Sequence, residues 1–237
     1  LYPDLEASYK ISPTLDVIGS LTGGIDRVSL HTLYLENLWL APNIAIANTN
    51  RTYELAFGLN AKASNKIEVH AGIALAGLKN WYFYRNQVQD QSRFELVFDE
   101  GTTKRSNLYG ALSYAQSTKA SFMLRADVYS YAPKSEQEAW YRPTYKVAAN
   151  GSVNIYDKIL VKGGLIMQGG MKAQDRQTLE VVKLKSAFDL NANAEYLFSE
   201  SFSFFIQFNN ITGNKYPIFY NYPVRGFQVL GGINLSF

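Results

Sequence analysis

The 237-residue sequence predicts an all-β fold, a transmembrane antiparallel β-barrel segment of about eleven strands spanning residues 1–237. Three observations predict it. Apolar and polar residues alternate with a period of two almost throughout. The connections between the alternating runs are by turns short and long. The chain also finishes on a strand that alternates to its last residue, with Phe227, Val229, Gly231, Ile233, Leu235 and Phe237 against Gln228, Leu230, Gly232, Asn234 and Ser236. A soluble strand usually hides its apolar face and is followed by a turn or a tail. This one suits a strand closing a barrel in lipid, apolar face outward, so Phe227, Val229, Ile233, Leu235 and Phe237 are assigned as a C-terminal barrel signal.

The same outward set appears in each strand. Leu5, Ala7 and Tyr9, then Leu15, Val17 and Leu21, oppose Glu6, Ser8 and Lys10, then Asp16 and Ser20. Tyr53, Leu55, Phe57 and Leu59 oppose Glu54, Ala56, Gly58 and Asn60, and Ile67, Val69, Ala71, Ile73 and Leu75 oppose Glu68, His70, Gly72 and Ala74. Leu108, Leu112 and Tyr114 oppose Tyr109, Ala111 and Ser113; Phe122, Leu124, Ala126 and Val128 oppose Met123, Arg125, Asp127 and Tyr129. Tyr145, Val147, Ala149, Val153 and Ile155 face away from Lys146, Asn150, Ser152 and Asn154. Ile159, Val161, Leu165 and Met167 do so from Lys162, Gly164 and Ile166. The cleanest run sets Phe188, Leu190, Ala192, Ala194, Tyr196 and Phe198 against Asp189, Asn191, Asn193, Glu195 and Leu197. Phe202, Phe204, Ile206 and Phe208 follow, against Ser203, Phe205, Gln207 and Asn209.

Short turns are expected at 12–14, 63–65, 116–118, 156–158 and 199–201, with longer segments over 24–50, 80–104, 131–142, 169–181 and 211–225. Short turns on one rim and long loops on the other are the outer-membrane arrangement, the short turns being periplasmic. Phe94-Glu95-Leu96-Val97-Phe98 reads either as strand extension or as loop. With eleven strands, the first and last both run toward the periplasm, which makes the chain the C-terminal part of a larger barrel.

Composition agrees. Hydrophobic residues make up 47%, aromatics 14%, yet mean hydropathy is only −0.16, so the apolar residues are dispersed. No run approaches the roughly 18 apolar residues of a spanning helix. Cysteine is absent, which removes disulfides, thiolate metal sites and cysteine nucleophiles together. The net charge of +3 forms no basic run, which argues against nucleic acid as a partner. Leu1 opens directly into patterned sequence, so any signal peptide has been removed or lies upstream.

The last forty or so residues resemble the C-terminal end of TonB-dependent outer-membrane receptors. Phe208-Asn209-Asn210-Ile211-Thr212-Gly213-Asn214-Lys215-Tyr216 is similar to that family's penultimate-strand ending, and Tyr222-Pro223 with Arg225-Gly226 to its approach to a final strand ending in Phe. Asn48-Thr49-Asn50-Arg51-Thr52-Tyr53-Glu54-Leu55-Ala56-Phe57-Gly58-Leu59 resembles its loop-to-strand segment, without the Pro-Glu usually found before it. The resemblance implies the second half of a barrel of about 22 strands, preceded by a plug and a TonB-contacting segment. It implies an outer-membrane receptor of a Gram-negative bacterium that takes up a ligand without covalent chemistry. The alternative is a plugless barrel with a structural, assembly or partner-binding role. Expected partners are outer-membrane lipid, the barrel assembly machinery, TonB through an N-terminal region, and a protein partner at the long loops.

No enzyme, catalytic residue, metal ligand or cofactor is expected. His70 shares the inward face with Glu68, Asp16 and Glu54, but in a wet lumen such groups read as solvated wall. His31 lies near Asp26 with no motif for nucleophilic or acid–base work. The candidates for ligand contact are long-loop aromatics: Tyr34, Trp39, Trp81, Tyr82, Tyr84, Trp140 and Tyr141. They suit an interfacial girdle, the preferred reading, or a ligand-gripping vestibule. Segment 33–40 is too apolar for a free loop and is expected to fold over the mouth or contact a partner. Arg51, Arg85, Arg93, Lys104 and Arg105 are expected on a solvated rim.

Overall fold

The computed structural model describes residues 1–116 and 119–236; Phe237, the last residue of the C-terminal signal, and most of the expected 116–118 turn lie outside the described residues. In chain order the strands are β1 (Asp4–Ser12), β2 (Leu15–Asp26), β3 (Thr49–Ser64), β4 (Ile67–Lys79), β5 (Tyr82–Asn86), β6 (Phe94–Phe98), β7 (Thr102–Gln116), β8 (Ala120–Ala132) and β9 (Tyr145–Ile155). Then come β10 (Ile159–Gly169), β11 (Lys172–Gln174), β12 (Val181–Lys183), β13 (Ala187–Ser199), β14 (Phe202–Asn209), β15 (Pro217–Phe219), β16 (Tyr222–Pro223) and β17 (Gln228–Leu235). One helix, α1 (Leu30–Glu36), lies between β2 and β3.

Eleven of these strands form a single antiparallel sheet in the order β1-β2-β3-β4-β7-β8-β9-β10-β13-β14-β17, and the pairs β5–β6, β11–β12 and β15–β16 are separate hairpins. Each sheet strand therefore lies beside its sequence neighbour in the sheet, as short hairpin connections demand. The run 94–98 is a strand, but it pairs with β5 in a loop and adds nothing to the wall. Among the described residues β1 and β17 each have one neighbour, so the sheet is open.

Register decides the faces, because a slip of one residue would invert every side chain of a strand. Here the outward sets join without a break. Val69 lies opposite Leu112, Leu112 opposite Leu124, Leu124 opposite Ala149, Ala149 opposite Leu165 and Leu165 opposite Leu190. The last pair continues the pattern with Phe208 opposite Val229 and Phe204 opposite Ile233. On this face Phe57, Leu108, Val128 and Ile233 are each more than half exposed. An apolar face running across eleven strands far exceeds the few hundred Å² that a soluble monomer leaves bare.

Glycines opposite aromatics keep the wall even. The Tyr109 ring lies across Gly72, where an added Cβ would come 2.6 Å from the phenol oxygen and 2.5 Å from the Phe57 carbonyl oxygen. Phe205 covers Gly232 in the same way, a Cβ there meeting the ring at 2.8 Å. Large-against-small pairs of this kind are register-specific.

The buried apolar core is in the long loops. Leu33 and Leu40, Trp81 to Tyr84 with Phe94 and Val97, Trp140 and Tyr141, Met171, Ala173 and Leu184, and Phe219 form one cluster. All five long loops contribute to it, and it caps the rim they share.

Candidate functional site

The cap is assembled from local signals. Ser29 starts α1 by accepting from the Thr32 N–H (3.2 Å), while the Thr32 hydroxyl accepts from the Ser29 N–H (3.1 Å), a capping box. The helix then turns Leu33 into the core and aims Glu36 at β5. Tyr82 and Tyr84, two apart on one strand face, donate to the two Glu36 oxygens at 2.9 and 2.7 Å. Burial, joined by the Glu36 charge, pushes both phenols above their ordinary range, against an opposing pull from Arg142. Both therefore stay protonated donors at neutral pH.

Segment 33–40 packs on two other long loops. Phe94 N–H donates to the Trp39 carbonyl (2.9 Å) and Ala41 N–H to the Phe94 carbonyl (2.8 Å). The Trp39 ring packs on Tyr222 (4.1 Å) and edge-on to Phe219 (6.0 Å), so the first long loop meets the last. Trp140 Nε1 donates to Glu136 (2.9 Å), and Tyr141 donates to Asn86 Oδ1 (2.6 Å) from a left-handed backbone position, φ 60°. Of the seven aromatic candidates, Trp81, Tyr82, Tyr84, Trp140 and Tyr141 are thus buried, Trp39 is half-buried and Tyr34 is exposed. The five buried rings share a packed core against which Trp39 also packs, while Tyr34 stays outside it.

Asp99 ties this core to the wall. It accepts from the Thr103 hydroxyl and from the backbone N–H groups of Lys134 (2.8 Å), Ser135 (2.6 Å) and Glu136 (3.1 Å). Burial opposes its ionisation, yet these donors outweigh it and hold the carboxyl at about 2. Of the five rim cations, Arg51, Arg85 and Arg105 are held in ion pairs, while Arg93 and Lys104 are exposed. Arg51 reaches Asp26 (3.6 Å) and Glu54 (3.3 Å), Arg105 reaches Glu54 (2.6 Å), and Arg85 reaches Glu95 (3.2 Å) and Glu136 (3.8 Å). Glu54 and Arg105 flank Ala76 on neighbouring strands, and the bulge between Arg51 and Tyr53 turns Arg51 to the same face, so Glu54 takes up both charges.

Arg142 escaped the sequence signals. Its guanidinium stacks over Trp81 (4.8 Å) and Tyr82 (5.0 Å), and Nη2 donates to the Tyr82 carbonyl (2.9 Å). Only its adjacency to Trp140-Tyr141 hints at this. On the inner wall, His70 contacts Asn60 and lies 4.0 Å from Glu68, and Arg125 is neutralised by a two-pronged contact with Asp127 (2.8 Å each). His31, the second residue of α1, is exposed. Among the described residues no three His, Cys, Asp or Glu side chains gather as metal ligands.

The Asn-rich motif has a physical role. Asn210 (φ 46°) receives Asn214 N–H (3.1 Å), donates to the Asn214 and Arg225 carbonyls (3.0 and 2.9 Å), and donates its own N–H to Asn191 (3.0 Å). Tyr216 then donates to Asp189 (2.9 Å), and burial with that carboxylate pushes its phenol up to about 12. The motif pins both ends of the last long loop to β13.

No protein-family model and no curated protein matches the sequence. Solved structures do. The pyoverdine outer-membrane receptor FpvA of Pseudomonas aeruginosa PAO1, bound to pyoverdine, aligns at TM-score 0.71 and 13% identity, over 100% of this chain and 36% of its own. The ferric-catecholate import receptor Fiu of E. coli K12 aligns at 0.68 and 12%, over 98% and 34%. The FpvAI–pyocin S2 complex aligns at 0.70 and 13%, over 100% and 33%. The chain spans about a third of the length of these structures. Its eleven-stranded sheet has the fold of the corresponding part of a TonB-dependent outer-membrane receptor barrel.

Proposed function

We propose that the chain is part of an outer-membrane receptor barrel that takes up a ligand without covalent chemistry. One observation carries this reading: the register brings the apolar sets of eleven strands to one face and the polar sets to the other. Such a face is stable where lipid covers it, and strands cross lipid only in closed barrels. Further strands would complete the sheet between β1 and β17 toward a barrel of about 22. A plug and a TonB-contacting region would accompany them, and the C-terminal strand would be read by the barrel assembly machinery. Neighbours that bind pyoverdine and import a ferric catecholate support a metal-chelate ligand. One that binds a pyocin supports protein partners at the loops. Tyr34 and Trp39 would meet an incoming molecule first, and the five buried aromatics only once the cap opens.

The test is uptake of labelled ferric chelates by cells lacking their own chelate receptors and expressing the full-length protein, with and without TonB. TonB-dependent uptake is expected. A folded outer-membrane protein that takes up no chelate in either strain would overturn it. That result would favour the alternative, a plugless barrel with a structural or partner-binding role. The exposed apolar side chains of Leu35 and Leu38 on the cap suit such a role.

A further inference from the structure

On the outer face of the sheet, at the long-loop end of β3, β4, β7 and β8, lies a cleft of about 220 Å³ whose lining includes Tyr53, Leu75, Lys104, Ser106, Ser130 and Ala132. Register puts all six in the outward rows. Tyr53 lies opposite Gly77, Gly77 opposite Lys104 and Lys104 opposite Ala132, while Leu75 lies opposite Ser106 and Ser106 opposite Ser130. Lys79, opposite Thr102, stands diagonally from Lys104 on the same face. Both lysines are exposed, and among the described residues neither has a carboxylate within 4.0 Å.

Toward the short turns the same face carries an apolar groove of about 370 Å³, walled by Phe57, Leu59, Ile73 and Leu108. Ala71, opposite Leu59 on one side and Gly110 on the other, leaves the space. The two features sit at different depths. Lys104 stands twelve residues from the short-turn end of β7 at Gln116. At about 3.3 Å per residue and a tilt of about 40°, that is about 30 Å, past the far edge of an apolar band about 25 Å tall. Gly110, beside the groove, comes out at about 15 Å, inside the band. The cleft is thus at headgroup level and the groove among acyl chains. Lysine stems can lie along such a wall with their ammonium groups in the polar layer. Two ammonium groups and two hydroxyls give a set rich in donors, which suits a phosphate of about −1.5 to −2 charge with its acceptor oxygens.

We infer that this face holds one phosphate-bearing membrane lipid, its headgroup on Lys79, Lys104, Ser106 and Ser130 and one acyl chain in the groove over Ala71. The cleft alone would take any phosphate; the groove in line with it selects a lipid. The inference rests on the barrel reading, because it needs the outward face to meet a membrane.

The test titrates the full-length protein in dodecyl maltoside micelles with dioleoyl phosphatidate, with dioleoyl phosphatidylcholine and with inorganic phosphate. Bound molecules are counted by native mass spectrometry. Phosphatidate is expected to bind at least tenfold more tightly than either of the others. Lys79→Gln combined with Lys104→Gln is expected to weaken it at least tenfold, and Ala71→Phe, which fills the groove, several-fold. Ser130→Lys, which adds a charge to the cleft, is expected to tighten it several-fold, a gain that misfolding does not produce. Lys215→Gln, on the last long loop, should leave it unchanged. Equal binding of the two lipids, or inorganic phosphate binding as tightly as phosphatidate, overturns the site. So does unchanged affinity in the folded double variant, or an equal loss in Lys215→Gln. Insertion into phosphatidylcholine vesicles is scored separately. Insertion without a preference for phosphatidate overturns the lipid site alone, and selective phosphatidate binding without insertion overturns the membrane reading alone.

Discussion

Leu124 and Met123 are neighbours in β8, both apolar and similarly exposed at 36% and 47%. Leu124 stands in the outward row between Leu112 and Ala149, Met123 in the inward row between Ser113 and Asn150. Changing either to arginine removes a comparable apolar side chain, so the two variants differ chiefly in direction. Leu124 lies about five residues past the short turn. At about 3.3 Å per residue and a tilt of about 40°, that is about 12 Å of depth, half of an apolar band about 25 Å tall. A lipid-facing arginine at that depth costs about 2–4 kcal/mol, and a lumenal one about 1 kcal/mol or less. Folding into phosphatidylcholine vesicles, titrated with urea, measures both. Leu124→Arg is expected to lose the larger amount and Met123→Arg the smaller. Equal losses, or the reverse order, would refute the face assignment and the lipid reading together.

Gly72→Val drives a Cβ into the Phe57 carbonyl and the Tyr109 ring, and should cost about 2 kcal/mol or more in the same titration. Gly24→Ala, with open space at its Cβ, should cost well under that. Asp99 has a depressed folded pKa, so its contribution is full above about pH 4 and lost as pH falls through about 2. The shift corresponds to about 2 kcal/mol, and hydrogen exchange at the amides of 134–136 should accelerate over that window in wild type but not in Asp99→Asn. Glu36→Ala strands two buried phenols at about 1–3 kcal/mol each. Limited proteolysis should then cut the 27–48 loop faster while the sheet stays intact.

The wall was legible because its information is local. A period of two, as in 188–199, states both the strand and its faces, and short turns force neighbours to pair. The cap was not, because its information is long-range. Trp39 has no sequence feature that names Phe219 and Tyr222 as its partners, and the short 94–98 run is a strand that pairs with β5 instead of joining the wall. Composition marks the loop aromatics as notable but cannot distinguish a girdle, a vestibule and a packed core, since all three use the same rings. Arg142 stacks on Trp81 and Tyr82, rings far upstream of it, and sequence pattern has no mark for that pairing.

The contact of Trp39 with Phe219 and Tyr222 has a mechanical consequence. These rings sit on loops next to opposite borders of the curved sheet, one leaving β2 and the other entering β17. A tie between them is a chord across an arc: it limits how far the two borders can spread and so sets the curvature of the wall. The cluster draws on every long loop, so peeling one away exposes apolar surface on the others. Loosening of any one loop is then expected to loosen the others with it, so the cap should open as a unit.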